Sequence, residues 1–197
     1  MHTIKDIPLQ KTRIYPSPLG DILLAAEDKG LCGLWFMEEV TAKGVTTGTD
    51  SDMITDQSCV GGEDPATTIL NLAVAWLDQY FVGSIPSFTP PVHLIGSEFQ
   101  LLIWGMLTEI PYGTTVSYGD LARRAAAARG KLKMSAQAVG GAVGANPVSL
   151  IVPCHRVIGF SGGLVGYGGG LWRKEFLLNL EQQKAVQSVE VKSPSFV

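Results

Sequence analysis

Cysteine is scarce in this chain. Only Cys32, Cys59 and Cys154 occur in 197 residues, and no two are close in sequence. The odd number and the lack of a Cys-x-x-Cys pair exclude a disulfide framework and a zinc knuckle. Charged residues are also few, at 17 % against 46 % hydrophobic, which excludes wholesale disorder. No uninterrupted apolar stretch is long enough to cross a bilayer. The opening residues, Met1-His2-Thr3-Ile4-Lys5-Asp6, lack the basic region and apolar run of a secretory leader. The expectation is a globular cytoplasmic protein with free thiols and no membrane partner.

Acid is missing from one long segment. Residues 121–174 hold eight bases (Arg123, Arg124, Arg129, Lys131, Lys133, Arg156, Arg173, Lys174) and no Asp or Glu. Residues 1–90 hold 12 acids and 5 bases, so the net charge of −3 conceals two halves of opposite character. Polyanion binding responds to the local field rather than to the whole-chain charge. A run of charge is ordinarily a solvated face. A solvated face usually mixes both signs, however, and this one does not.

Ser17-Pro18-Leu19-Gly20 reads as a turn, with strands over 21–26 and 31–36 on either side of a loop at 27–30. Residues 38–66 are polar and rich in Gly, Thr and Asp, as expected of a long exposed connection. A helix from about Ala66 carries Ile69, Leu72, Ala73, Trp76, Leu77 and Tyr80 on one face. Pro86, Pro90 and Pro91 mark a linker. The division expected is an N-terminal domain over 1–90, a C-terminal domain over 91–183 and a tail over 184–197. In the second half, Ser97, Ser117 and Ser135 can each cap a helix. The latter two helices, joined by the basic loop Arg129–Lys133, suggest a helix-turn-helix. The helix from Ala136 is odd, because Gly140, Gly141 and Gly144 each cost about 1 kcal/mol relative to Ala. Its small face serves either tight helix–helix packing or close approach to a nucleic-acid groove.

The buried-looking run Ser149-Leu150-Ile151-Val152 leads into Pro153-Cys154-His155-Arg156-Val157. A lone cysteine is usually a small buried hydrophobe. Here His and Arg follow directly, and such neighbours favour the nucleophilic thiolate. An extended segment would point Cys154 and His155 to opposite sides, so a water bridge is the natural proton route. His155 then needs an acceptor on its other nitrogen. Glu175 and Glu181 lie on a last helix over about 171–183, whose apolar side is read as Phe176, Leu177 and Leu180. Glu181 either turns inward beside Leu180 or is an ordinary exposed glutamate. The glycine-rich loop 162–170 lacks a P-loop ending, and Tyr167 within it either stacks on a base or fills space.

These residues carry a resemblance. Pro153-Cys154-His155-Arg156-Val157 resembles the acceptor-cysteine motif of O6-alkylguanine-DNA alkyltransferases. Ile110-Pro111-Tyr112-Gly113, Val116-Ser117-Tyr118, Ala138-Val139-Gly140-Gly141-Ala142, Asn146-Pro147, Gly166-Tyr167-x-Gly169-Gly170 and Leu177-Leu178-x-Leu180-Glu181 follow in family order. The likeness is specific over about 94–181 and weaker over 17–36.

The resemblance implies a ribonuclease H-like α/β N-terminal domain and a mostly helical C-terminal domain with a helix-turn-helix. It implies a monomer that binds double-stranded DNA containing O6-alkylguanine through the minor groove, with O4-alkylthymine as a second candidate substrate. The damaged base would be flipped into a pocket. Cys154 would take the alkyl group, His155 the thiol proton through water, and Glu181 would orient His155. Tyr118 would donate to the base, and Asn146 would buttress the turn before the cysteine. Val157, Tyr167 and Gly168 would contact the base. Gln137, Ala138, Gly140 and Gly141 would meet DNA, with phosphate attraction from Arg123, Arg124, Arg129, Lys131 and Lys133. The thioether product would consume the protein, and no cofactor is implied.

Two departures stand out. Gln137 occupies the place of the family's inserted arginine. Some relatives carry an N-terminal zinc, but Glu27 replaces a cysteine beside Cys32 and His93, so no metal is expected. A lesion sensor of the same fold lacks the cysteine, a regulator would need further domains, and a cysteine hydrolase usually separates its cysteine and histidine widely.

Overall fold

The computed structural model describes residues 11–38 and 64–190, with side chains to 183. Most of the polar connection expected over 38–66, Cys59 included, lies outside the described residues. So does the end of the expected tail.

Strands β1 (Lys11–Ser17), β2 (Gly20–Glu27) and β3 (Gly30–Phe36) form one antiparallel sheet in that order. The sequence reading found β2 and β3 but not β1. The β1 strand lies at the sheet edge, is half exposed and contains Pro16, which an edge tolerates because its missing N–H faces no neighbour. Ile22, Leu24, Leu34 and Phe36 turn inward from β2 and β3, and all are fully buried.

Helix α1 (Pro65–Phe81) packs on that sheet. Asp64 caps it by accepting from the Thr67 backbone, and Pro65 suits the first turn, where its missing N–H is no loss. Its buried stripe includes Ile69, Ala73, Trp76, Leu77 and Tyr80, at the spacing the sequence predicted.

The outer edge of β3 binds the other half of the chain. The Leu31 amide donates to Pro91 O at 2.8 Å, and His93 N donates to Leu31 O at 2.9 Å. Farther along, Leu34 N donates to Pro147 O at 2.9 Å, and Ser149 N donates to Leu34 O at 3.1 Å. The segment just before Cys154 is thus tied to the N-terminal sheet. Buried residues of both halves, among them Leu34, Trp76, Trp104, Val148 and Leu177, form one continuous core.

Helices α2 (Glu98–Thr108), α3 (Tyr118–Ala128) and α4 (Ala136–Gly144) start at Ser97, Ser117 and Ser135. Each serine accepts a backbone N–H of the first turn, and Ser97 with Gln100 forms a reciprocal capping box. The Trp104 indole donates to Ala142 O at 2.8 Å, pinning α4 to α2. A two-stranded parallel pair, β4 (Val116–Ser117) with β5 (Val157–Ile158), links the start of α3 to the segment after the cysteine.

The last helix, α5 (Leu171–Glu190), runs past the point where the sequence reading began a tail. Its inward side also differs from that reading. Phe176 is exposed, whereas Arg173, Lys174, Leu177, Leu178 and Glu181 are buried. Polar residues share the buried stripe because each finds a partner inside, which hydropathy spacing does not register.

Candidate acceptor-cysteine site

Cys154 does not lie in an extended segment, as the sequence reading supposed. Cys154–Arg156 forms one turn of 3-10 helix, entered through Pro153. A tight turn precedes it, with Val152 N donating to Val148 O at 3.0 Å and Leu150 in the left-handed region at φ 71°. That conformation costs a branched residue about 1–2 kcal/mol, and the burial of Leu150 helps hold it. Asn146 braces both ends. Its Nδ2 donates to Val152 O at 2.7 Å, and its Oδ1 accepts from Val148 N at 3.1 Å.

The cysteine forms part of the wall of a cavity of about 240 Å³. Tyr118, Asn146, Tyr167 and Gly168 line it, as does Gly140 of α4. Val143, Gly144, Ser149 and Gly166 complete the wall, and the sequence reading had named none of those four for it. Val157, expected to contact a base, is buried in β5 beside Val116. Burial, and then the proximity of Cys154, raises the Tyr118 pKa, so its hydroxyl stays protonated and able to donate.

Behind the cysteine lies a buried charge network. The His155 Nε2 donates to Glu181 Oε1 at 2.9 Å. Arg156 donates from Nε to Glu181 Oε2 and from Nη2 to Oε1, both at 2.9 Å, and from Nη1 to Ile110 O at 2.6 Å. The Gly113 amide donates to Oε2 at 3.0 Å, and the Tyr80 hydroxyl donates to Oε1 at 2.8 Å. Burial works against the Glu181 charge, but the bonds from His155 and Arg156 outweigh it and hold the pKa down to about 2. Burial lowers the His155 pKa, against the pull of Glu181. The imidazole is therefore neutral at neutral pH, and a carboxylate acceptor fixes the proton on Nε2. Nδ1 is buried and has no hydrogen-bond partner among the described residues.

Lys174 is one of the eight bases of the acid-free segment. It is fully buried, and its Nζ donates to Val157 O at 2.6 Å, Val165 O at 2.8 Å and Gly166 O at 3.2 Å. It ties the glycine-rich loop to the strand after the cysteine. Burial pushes its pKa down to about 8, while a negative sulfur at Cys154 would act the other way.

The basic segment is less open than its composition suggested. Arg156, Arg173 and Lys174 turn inward. Arg123 pairs with Asp120, and Arg124 pairs with Glu109. Both acids lie just outside the acid-free stretch in sequence, and folding carries them to it. Arg129 packs over the Phe99 ring, while Lys131 and Lys133 are exposed.

Helix α4 buries Val139, Ala142 and Val143 and exposes Ala136, Gln137, Ala138, Gly141 and Gly144. A Cβ added at Gly141 or Gly144 would meet nothing within 4 Å, and one at Gly140 would make only ordinary contact with the Tyr118 ring at 3.8 Å. Internal packing therefore does not demand these glycines. We predict that Gly141→Ala raises stability by about 0.5–1 kcal/mol yet weakens binding to duplex DNA. Urea unfolding and a binding titration check this together, and unchanged affinity would remove α4 from the interface.

Glu27, Cys32 and His93 have partners within the fold. His93 pairs with Glu27, and the Cys32 thiol donates to Ala25 O at 3.3 Å within its own sheet. Burial and then Glu27 push the Cys32 thiol up to about 11. No cluster of three metal-ligating side chains occurs among the described residues.

Two family models match the chain. They are the ribonuclease-like domain of 6-O-methylguanine DNA methyltransferase over residues 11–94 and its DNA-binding domain over residues 98–183. A methylated-DNA–protein-cysteine methyltransferase of Mycobacterium leprae is 40 % identical over 177 residues, which is 90 % of this chain and 95 % of that protein. One from Methanosarcina acetivorans is 42 % identical over 85 % of this chain and 96 % of that protein. Among solved structures, Mycobacterium tuberculosis OGT in complex with DNA superposes with a TM-score of 0.67. It is 38 % identical and covers 88 % of this chain and 93 % of that one. The chain belongs to the 6-O-methylguanine DNA methyltransferase family, with both the ribonuclease-like and the DNA-binding domain present.

Proposed function

We propose that this protein repairs DNA by taking the alkyl group of O6-alkylguanine onto Cys154, once per molecule. The observation that carries this reading is the pairing of a cavity-wall cysteine with a buried His155–Glu181–Arg156 network directly behind it. The names of the relatives and the DNA complex of the M. tuberculosis protein support it.

The chemistry follows from the groups present. Neutral His155 accepts the thiol proton at Nδ1 through a bridging water, and Glu181 stabilises the imidazolium that results. The Cys154 sulfur attacks the alkyl carbon, so an S–C bond forms as the C–O6 bond breaks. The electron pair moves onto the guanine, where the Tyr118 hydroxyl donates to the charge that develops. A thioether is left, and no neighbouring group can cleave it.

The small exposed face of α4 lies toward the minor groove in this reading, with Ala138, Gly140 and Gly141 against the sugar edges. Gln137 takes the space of the flipped base. Arg129, Lys131 and Lys133 supply phosphate attraction, with Arg123 and Arg124 released from their exposed partners on binding.

Mass spectrometry of the intact protein after incubation with duplex DNA bearing O6-methylguanine tests the proposal. A gain of one methylene per molecule, absent in Cys154→Ala, is expected. In the same assay Gln137→Ala slows transfer from duplex more than from free O6-methylguanine. An unchanged wild-type mass with tight lesion binding points to a sensor instead. Equal slowing on both substrates rejects the insertion by Gln137.

A further inference from the structure

We propose that Tyr80, supplied by helix α1 of the N-terminal domain, is a positioning residue of the acceptor site, whose hydroxyl limits how strongly Glu181 holds a proton on His155. The inference rests on the alkyl-transfer reading and adds to it a role for the N-terminal domain in the chemistry.

The geometry is specific. The Tyr80 hydroxyl donates to Glu181 Oε1 at 2.8 Å, the same oxygen that accepts from His155 Nε2. It lies 3.4 Å from that Nε2, too long to compete with the shorter bond to a charged acceptor. The ring has little freedom. It is fully buried, stacked on Trp76 at 5.0 Å, and edge-on to Tyr112 and His155 at 6.0 and 6.5 Å.

Glu181 Oε1 therefore divides its charge among Tyr80, His155 and Arg156, while Oε2 serves Arg156 and Gly113. Each donor on Oε1 lowers the attraction left for a proton on the imidazole. Other charged or titratable groups also face His155. Glu181 and Lys174 come from α5 and Arg156 from its own turn, while Tyr112, in the loop after α2, acts on Glu181 and Arg156. Among the described residues, Tyr80 is the neutral side chain that shares the acceptor atom of His155. It can adjust that atom without adding charge.

Removing the hydroxyl should leave Glu181 a stronger partner for imidazolium. His155 would then hold its proton to higher pH and act as a base over a narrower range. In Tyr80→Phe, the acid limb of the single-turnover transfer rate should move up by about 0.5–1 pH unit, as expected for one lost hydrogen bond of ordinary strength. The rate below the limb should fall about three- to tenfold, and the plateau rate should change little.

The test measures transfer by the full-length chain across about pH 5–9. Nitrogen NMR of the His155 ring in the unreacted protein gives a second readout that does not depend on activity. A role confined to packing would lower the unfolding temperature without moving the limb. Site-specific replacement of Tyr80 by difluorotyrosine, a stronger donor of similar shape, should move the limb the other way. This keeps the idea testable if Tyr80→Phe folds poorly. An identical limb and His155 titration in wild type and variant overturns the proposal for Tyr80 and leaves the transfer reading intact. A wild type that takes up no alkyl group defeats that reading instead.

Discussion

Glu181→Gln is expected to slow alkyl transfer by about 10²- to 10⁴-fold, the usual contribution of a positioned acid–base group. The substitution keeps the shape of the side chain and changes what it offers. A carboxylate only accepts, so it fixes the proton of His155 on Nε2 and leaves Nδ1 with its lone pair. An amide can present its NH2 to Nε2 and so favour the other tautomer, in which Nδ1 carries the proton and cannot take one from Cys154. It also cannot stabilise imidazolium by charge. Single-turnover kinetics on alkylated duplex, run well below the unfolding temperature, separate this effect from instability. A loss smaller than about threefold would mean that His155 is not the base.

The second large effect is on stability. Arg156→Ala should cost about 3–5 kcal/mol, because it leaves the Glu181 carboxylate buried without its main counter-charge. Arg156 makes two bonds to that carboxylate and a third to Ile110 O, and lysine cannot reproduce the planar fork. Arg156→Lys should therefore recover only part of the loss. Urea unfolding measures both variants, and a cost below about 1 kcal/mol would show that the carboxylate is neutralised in another way.

The same pair predicts an acid dependence. The folded pKa of Glu181 is held at about 2, below its ordinary value of 4.5. Between these values the unfolded chain binds more protons than the native one. Stability from this group is therefore complete above 4.5 and is lost as pH falls toward about 2. In Arg156→Ala the acid slope should flatten.

The role of Arg156 is not encoded in its local sequence. In sequence the residue was one of eight bases in an acid-free stretch and a plausible partner for Cys154. In the fold it is turned away from solvent and committed to Glu181, 25 residues along the chain. Glu181 itself had two readings, inward or exposed, and nothing local distinguished them. Tyr80 was legible as core, being the last member of the apolar stripe of α1. Its hydroxyl's partner lies 101 residues away in the other domain, so no spacing rule could have found it.

The sequence by itself determined the helix starts at Ser97, Ser117 and Ser135, the β2–β3 hairpin, the small face of α4 and the acceptor-cysteine motif. These rest on contacts within a few residues, such as caps, turns and side-chain periods, and local chemistry is enough to specify them. Only the tertiary structure decided which nitrogen of His155 engages Glu181, which bases remain at the surface, and that α1 reaches the charge network behind Cys154. Those outcomes depend on burial and on pairing between distant segments. The energy of a buried charge is set by whichever groups the whole fold brings within about 3 Å of it.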